Sequence, residues 1–416
     1  MDSLRSGSTA PLEGLKIVGV KTVRARRYPR LLFVLIETDA GICGLGETYE
    51  KADIAEAAIH TLLAPALVGR DATRIREIHS FLDHLTRLHG NAGAEMRAIS
   101  GIDLALWDLN AKALGVPVHR LLGGAVRDSV RTYNTCGVEG TVNDRDRFLT
   151  DPRGLAAELA DEGYTGMKFW PFDNYAVRST GQWIAHDDLL QGAAVVGQAR
   201  EGGGDGFQLF LEGHGKWAPL PTRQIAAAVE QYNPAWLEDF VIPERAEILA
   251  RLRGEVRTPI CASEMTLSKY GFADLLTAGA MDIAMPDLAW CGGITDGLSI
   301  AAQSEAWGVP IALHNCGGPV LHAASLHFSV AVRNVYIVES VRAYLKAVFA
   351  EIVDDFVRPV DGEFPIPSGP GLGTELSERF LARDDLIVGH TTTGYGDQVA
   401  GAIVGDRWGS FDLGGR

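Results

Sequence analysis

Apolar and polar residues alternate from Leu15 to Glu47 in three runs, KIVGVKTVRARRY, LLFVLIETD and GICGLGETY. Tyr28-Pro29 and Asp39-Ala40-Gly41 interrupt them, and both combinations favour turns. The pattern predicts a strand meander. From Ala52 to Leu114 the period lengthens to that of a helix, in IAEAAIHTLLAPAL, IREIHSFLDHL and ISGIDLALWDLNAKAL. Strands followed by helices describe an α+β domain over residues 15–124, closed by Gly115, Pro117 and the LLGG at 121–124.

From Val130 the pattern changes to alternating strand and helix. Apolar runs at VRTYNTCG, TGMKFWP, FQLFLEG, AWLEDF, TPICAS, MDIAMPD, VPIALHN and VYIVES are separated by helical stretches such as LAAELADEG and ERAEILARLRG. Eight such units in succession predict an α/β fold, a parallel (β/α) barrel. A doubly wound open sheet is the rival, but it wants a glycine-rich first turn, and TYNTCGVEGT is a poor one.

Three of the runs end in an acid: FQLFLEGH at Glu212, PAWLEDF at Glu238 and RTPICASE at Glu264, spaced 26 residues apart. That length suits one strand, one helix and two loops between neighbouring parallel strands. The three carboxylates are therefore expected at the same end of adjacent strands, the end where a barrel holds its chemistry. Like charges so close repel unless a cation lies between them. Oxygen-only donors favour a hard ion, Mg²⁺ ahead of Mn²⁺ or Ca²⁺.

Other strand ends extend the picture. Lys168 and Trp170 share one side of the second run, where Lys168 is either a counter-ion to the acids or an electrophilic aid. Asp287 and His314 close the sixth and seventh runs, near enough for a carboxylate–imidazole hydrogen bond that fixes the tautomer and raises basicity. Glu339 closes the eighth and says little by itself.

Composition narrows the class. With 416 residues the chain exceeds one ordinary domain, and 46% hydrophobic with 22% charged residues is globular. The net charge of −15 and the lack of a basic run argue against nucleic acid. Five scattered cysteines, at 43, 136, 261, 291 and 316, have no CxxC spacing and fit reduced thiols in a cytoplasm. Residues 1–14 are polar, without the apolar core of a signal peptide, and no run reaches membrane-spanning length. A cytoplasmic protein with a short leader and no membrane partner is the expectation.

The ordered set Glu212, Glu238, Glu264, Asp287, His314 and Glu339, with PDLAWCGGITDG and GPGLGTELS, resembles the mandelate racemase branch of the enolase superfamily over roughly residues 14–376. The resemblance implies a (β/α)₇β TIM-like barrel, here 130–345, under an N-terminal α+β capping domain. It also implies that segment 346–416 returns toward that cap. It implies one Mg²⁺ on the three glutamates and removal of the proton alpha to a substrate carboxylate, with Lys168 and the metal holding the enediolate. Family racemases carry Lys-x-Lys on the second strand, whereas this chain has Lys168-Phe169-Trp170, so the face opposite His314 lacks a lysine base. His214, two residues beyond Glu212, is similar to the general acid of sugar-acid dehydratases; as a bland alternative it is a loop residue.

The resulting expectation is a Mg²⁺-dependent aldonate or aldarate dehydratase acting on a small sugar acid. Its base is His314, oriented by Asp287; its acid is His214; Glu339 polarises a carboxylate oxygen. A cycloisomerase, a racemase or epimerase, and a non-catalytic metal-dependent acid-binding protein remain as alternatives. The cap loops offer Arg26, Arg27, Tyr49 and Lys51 as specificity contacts, and a homo-oligomer is expected by analogy.

Overall fold

A computed structural model of the chain describes residues 14–89 and 92–395. The leader, apart from its last residue, and residues 396–416 lie outside the described residues.

Three antiparallel strands, Ile17–Ala25, Leu31–Thr38 and Cys43–Tyr49, form the predicted meander, and Leu386–Thr391 adds a fourth strand beside the first. The helix Ala94–Ala113 lies across the third strand. Glycine makes that approach possible. A Cβ at Gly46 would stand 2.0 Å from the Gly101 carbonyl, and one at Gly44 2.1 Å from that of Ala105.

Eight parallel strands make the barrel: Ser129–Thr135, Gly166–Phe169, Gln208–Glu212, Trp236–Glu238, Ile260–Ala262, Ile283–Ala284, Ile311–Leu313 and Val335–Ser340. The eighth pairs with the first and closes the sheet. A helix follows each of the first seven, giving the expected (β/α)₇β order. Inside the closed sheet, Tyr133, Phe210, Trp236, Cys261, Met285 and Ile337 pack into an apolar plug. Phe210 and Trp236 ring centroids stand 4.1 Å apart, and Tyr133 and Phe210 4.4 Å. No described helix is long and apolar enough to cross a membrane.

Buried carboxylates tie the cap to the barrel. Glu47 accepts hydrogen bonds from the backbone N–H groups of Gly318, Val320 and Leu321, at the N-terminus of the helix Pro319–Ala331. Burial raises this carboxyl to about 7 against the pull of those donors. Asp103 accepts from the Thr295 amide and hydroxyl in the same manner.

His322 provides a test of acid sensitivity. Its Nε2 stands 3.1 Å from the Val357 carbonyl and its Nδ1 3.2 Å from the Asn315 amide nitrogen, so the neutral imidazole donates at one atom and accepts at the other. Burial pushes it down to about 4. A free histidine titrates near 6.5. Between those values the unfolded chain binds more protons, so the His322 contribution is present above about pH 6.5 and disappears as pH falls through about 4. The melting-temperature gap between wild type and His322→Gln, which has no titration, is expected to narrow across that window. A constant gap would rule the linkage out.

Candidate active site

Side chains two residues apart on a strand point the same way. Above the plug residues Tyr133, Phe210, Trp236 and Ile337 therefore come Thr135, Glu212, Glu238 and Glu339, all buried, at the C-terminal mouth of the barrel. Glu212 and Glu238 are direct register partners. Glu264 is not. The partner of Glu238 on the fifth strand is Cys261, so Glu264 reaches the group from three residues further along, in the loop. Equal spacing placed the acids at one end, but the third unit reaches its strand three residues earlier. Asp239, not anticipated, holds that loop: its Oδ2 accepts from the Ser263 hydroxyl at 2.8 Å and the Glu264 amide at 3.2 Å.

One donor oxygen from each of Glu212, Glu238 and Glu264 lies within 4.8 Å of the other two. Lys168, fully buried, reaches Glu238 at 2.5 Å, Glu339 at 2.8 Å and Glu212 at 3.1 Å. Three carboxylates thus share one ammonium. Burial pushes the Glu238 carboxyl well above its usual range although Lys168 pulls the other way. Glu212 Oε1 is buried without a hydrogen-bond partner. The excess negative charge and the oxygen-only donors fit a divalent cation.

Two histidines flank the glutamates. His314 Nδ1 stands 2.7 Å from Asp287 Oδ2, and its Nε2 stands 2.7 Å from Glu264. Burial opposes the charged imidazole, but Glu264 and Glu339 outweigh it and raise His314 well above its ordinary value. Tyr49 of the cap donates its hydroxyl to the same Asp287 oxygen at 2.6 Å, and Asp287 also accepts the Ala289 amide. On the other side, His214 Nδ1 stands 2.7 Å from Asp173 Oδ2, and its Nε2 3.4 Å from Glu212. Burial again opposes, while Glu212 and Asp173 raise it. Lys216 pairs with the same Asp173 oxygen.

The residues expected from the sequence to be catalytic or metal-binding stand in or around this mouth: the three glutamates, Lys168, His214, Asp287, His314 and Glu339. Asp173 escaped notice because an acid opening a short helix, Asp173–Ala176, reads as a helix-start residue. Among the cap residues, Tyr49 is almost wholly buried against the Asp287–His314 pair, while Arg26 and Lys51 are exposed and lie outside the cleft. Arg30 and Glu50, paired at 2.5 Å, line it instead. Arg27 pairs with Glu139 at the wall of a smaller adjoining cleft. The main cleft holds about 520 Å³ and is lined by Trp170, His214, His314, Tyr344 and Arg145 among others, a size suited to a small polar molecule.

Comparison with known proteins agrees with this geometry. Residues 16–123 match the mandelate racemase / muconate lactonizing enzyme N-terminal domain, and residues 153–380 match the enolase C-terminal domain-like model. The chain belongs to the mandelate racemase / muconate lactonizing branch of the enolase superfamily. A D-galactonate dehydratase of Pectobacterium atrosepticum is 34% identical over 375 residues, covering 88% of this chain and 94% of that protein. One from Xanthomonas euvesicatoria is 34% identical over 379 residues, covering 89% and 94%. A solved enolase of the mandelate racemase subgroup from Agrobacterium tumefaciens superposes with TM-score 0.84 at 37% identity, covering 91% of this chain and 99% of that one. An enolase-superfamily member from Salmonella Typhimurium superposes with TM-score 0.84 at 26% identity, covering 90% and 100%.

Proposed function

We propose that the protein is a Mg²⁺-dependent acid-sugar dehydratase, converting an aldonate or aldarate to a 2-keto-3-deoxy acid with loss of water. The observation that carries this reading is the pair of histidines backed by separate aspartates, His314 on Asp287 and His214 on Asp173, each beside a different glutamate of the triad. Dehydration needs two proton transfers at neighbouring carbons, and two independently oriented imidazoles supply them. The D-galactonate dehydratases among its relatives support the same class.

Glu212, Glu238 and Glu264 would hold the cation, which when bound acts as a Lewis acid on the substrate carboxylate. Asp287 fixes the His314 proton on Nδ1, so Nε2 is the atom that would take the α-proton. Lys168 stands beside the growing negative charge. Glu339 is buried at the barrel mouth, held by Lys168, the Thr135 hydroxyl and the Asn315 amide. His214, whose Nδ1–H is held by Asp173, delivers a proton from Nε2 to the leaving β-hydroxyl. The substrate loses H⁺ from one carbon and OH⁻ from the next, and the enol left behind becomes the ketone. Trp170, with its ring centroid 5.3 Å from that of His214, cannot accept a proton where a racemase would need a base.

A screen of aldonic and aldaric acids with Mg²⁺ tests the proposal. Formation of a 2-keto acid with the mass of one water lost is expected for at least one substrate. Isomerisation without mass change, or inversion at the α-carbon, would replace dehydration by cycloisomerisation or racemisation.

The metal site makes its own prediction. Mg²⁺ at about one hundred times its dissociation constant is expected to stabilise the fold by about 2.7 kcal/mol, and a chelator removes the gain. Glu238→Gln takes away one formal charge at the centre, so its melting temperature is expected to stop responding to Mg²⁺ and turnover to vanish. A Mg²⁺-dependent shift that survives in Glu238→Gln would place the ion elsewhere.

A further inference from the structure

The barrel mouth also carries a group of donors that dehydration leaves partly unused. His314, Cys316 and Glu339 each offer one ligand atom, all within 4.8 Å of one another. Cys316 is half-buried and lines both the main cleft and the smaller one beside it. We propose that these three residues form an inhibitory site for a thiophilic divalent cation such as Zn²⁺, separate from the oxygen-only site of Glu212, Glu238 and Glu264.

Donor chemistry is the first argument. Imidazole nitrogen, thiolate sulfur and carboxylate oxygen are the ligand set of Zn²⁺, whereas Mg²⁺ prefers oxygen alone. The surrounding hydrogen bonds are the second. Zinc-bound histidines typically give their other ring N–H to a carboxylate. His314 Nδ1 is already held by Asp287 at 2.7 Å, which leaves Nε2 as the ligating atom. Glu339 is fixed in turn by the Asn315 amide at 2.8 Å and by the Thr135 hydroxyl. Three protein ligands leave a fourth tetrahedral position for water.

Binding replaces the Cys316 S–H bond by a sulfur–metal bond and the His314 Nε2–H, which faces Glu264, by a nitrogen–metal bond, and both protons pass to solvent. No electrons are exchanged. The His314 Nε2 lone pair, needed for the α-proton, is then occupied by the cation. Only this inhibitory consequence rests on the proposed dehydration; the binding does not.

The test uses the full chain saturated with Mg²⁺ and titrated with Co²⁺ as a spectroscopic stand-in for Zn²⁺. A thiolate-to-cobalt charge-transfer band is expected to saturate at one equivalent, to be displaced by Zn²⁺ and to be lost in Cys316→Ser. No sulfur band in the wild type, or a band that persists in Cys316→Ser, overturns the proposal. A second measurement needs no variant. Micromolar Zn²⁺ in excess Mg²⁺ should protect Cys316 from alkylation, read by peptide mass spectrometry; equal labelling of Cys316 with and without Zn²⁺ overturns the site. Once a substrate is known, half-inhibition by Zn²⁺ should move up by at least about tenfold in Cys316→Ser, and unchanged inhibition would refute the regulatory role. If no sugar acid is turned over, the cobalt and alkylation results still decide whether the site exists.

Discussion

Replacing His314 by Asn is expected to abolish both solvent-deuterium exchange at the substrate α-carbon and formation of the 2-keto acid. The imidazole is held from one side by Asp287, which Tyr49 and the Ala289 amide hold in turn, so Nε2 has one orientation, into the cleft. Asparagine has no basic nitrogen. A positioned general base contributes about 10²–10⁴-fold, and product formation should fall at least that far. His214→Asn should behave differently. Its Nε2 serves the leaving hydroxyl, so dehydration falls by a comparable factor while deuterium exchange survives, provided the deprotonated substrate returns faster than hydroxide departs. Asp173→Asn should copy His214→Asn in weaker form, because it removes the carboxylate on His214 Nδ1 without removing the ring. Loss of exchange in both histidine variants would make the two groups one catalytic unit. Wild-type dehydration in His214→Asn would place the acid elsewhere.

Lys168→Met is expected to cost both turnover and folding stability. The sequence alone left Lys168 as either a counter-ion or an electrophilic aid. The structure adds the second cost, because Lys168 is fully buried and touches Glu212, Glu238 and Glu339. Removing one partner of a buried ion pair leaves uncompensated charge and typically destabilises by about 3–5 kcal/mol. Here three carboxylates lose their ammonium together. Added Mg²⁺ should recover part of that stability by neutralising the same acids, yet turnover should stay low because the positive charge beside the substrate carboxylate is gone. Denaturant melts with chelator and with Mg²⁺, beside turnover under both conditions, separate the two effects. Near wild-type turnover at restored stability would reduce Lys168 to a counter-ion.

Much of this site was legible because barrel geometry turns chain position into spatial position. The run ends carrying Lys168, Glu212, Glu238, Asp287, His314 and Glu339 converge once eight parallel strands close, and the alternation of inward residues then sets acids above an apolar plug. What escaped were contacts between partners remote in the chain. Tyr49 lies 238 positions from Asp287, and Asp173 lies 41 from His214. Neither contact leaves a local pattern. Asp239 was equally hidden, since it follows a ligand and reads as one more loop acid.

The sequence by itself determined the order of strands and helices and which residue types stand at the strand ends. Periodicity and spacing are local properties, fixed by backbone geometry and by which face must be buried. Only the tertiary structure decided how those ends meet: that Glu264 joins the triad from a loop three residues out of register, that the cap reaches the cleft through Tyr49, Arg30 and Glu50, and that each histidine has its own aspartate. Such contacts depend on strand register, loop path and the docking of cap on barrel. Those are settled by packing and by the need to pair buried charge, and no short window of sequence encodes either.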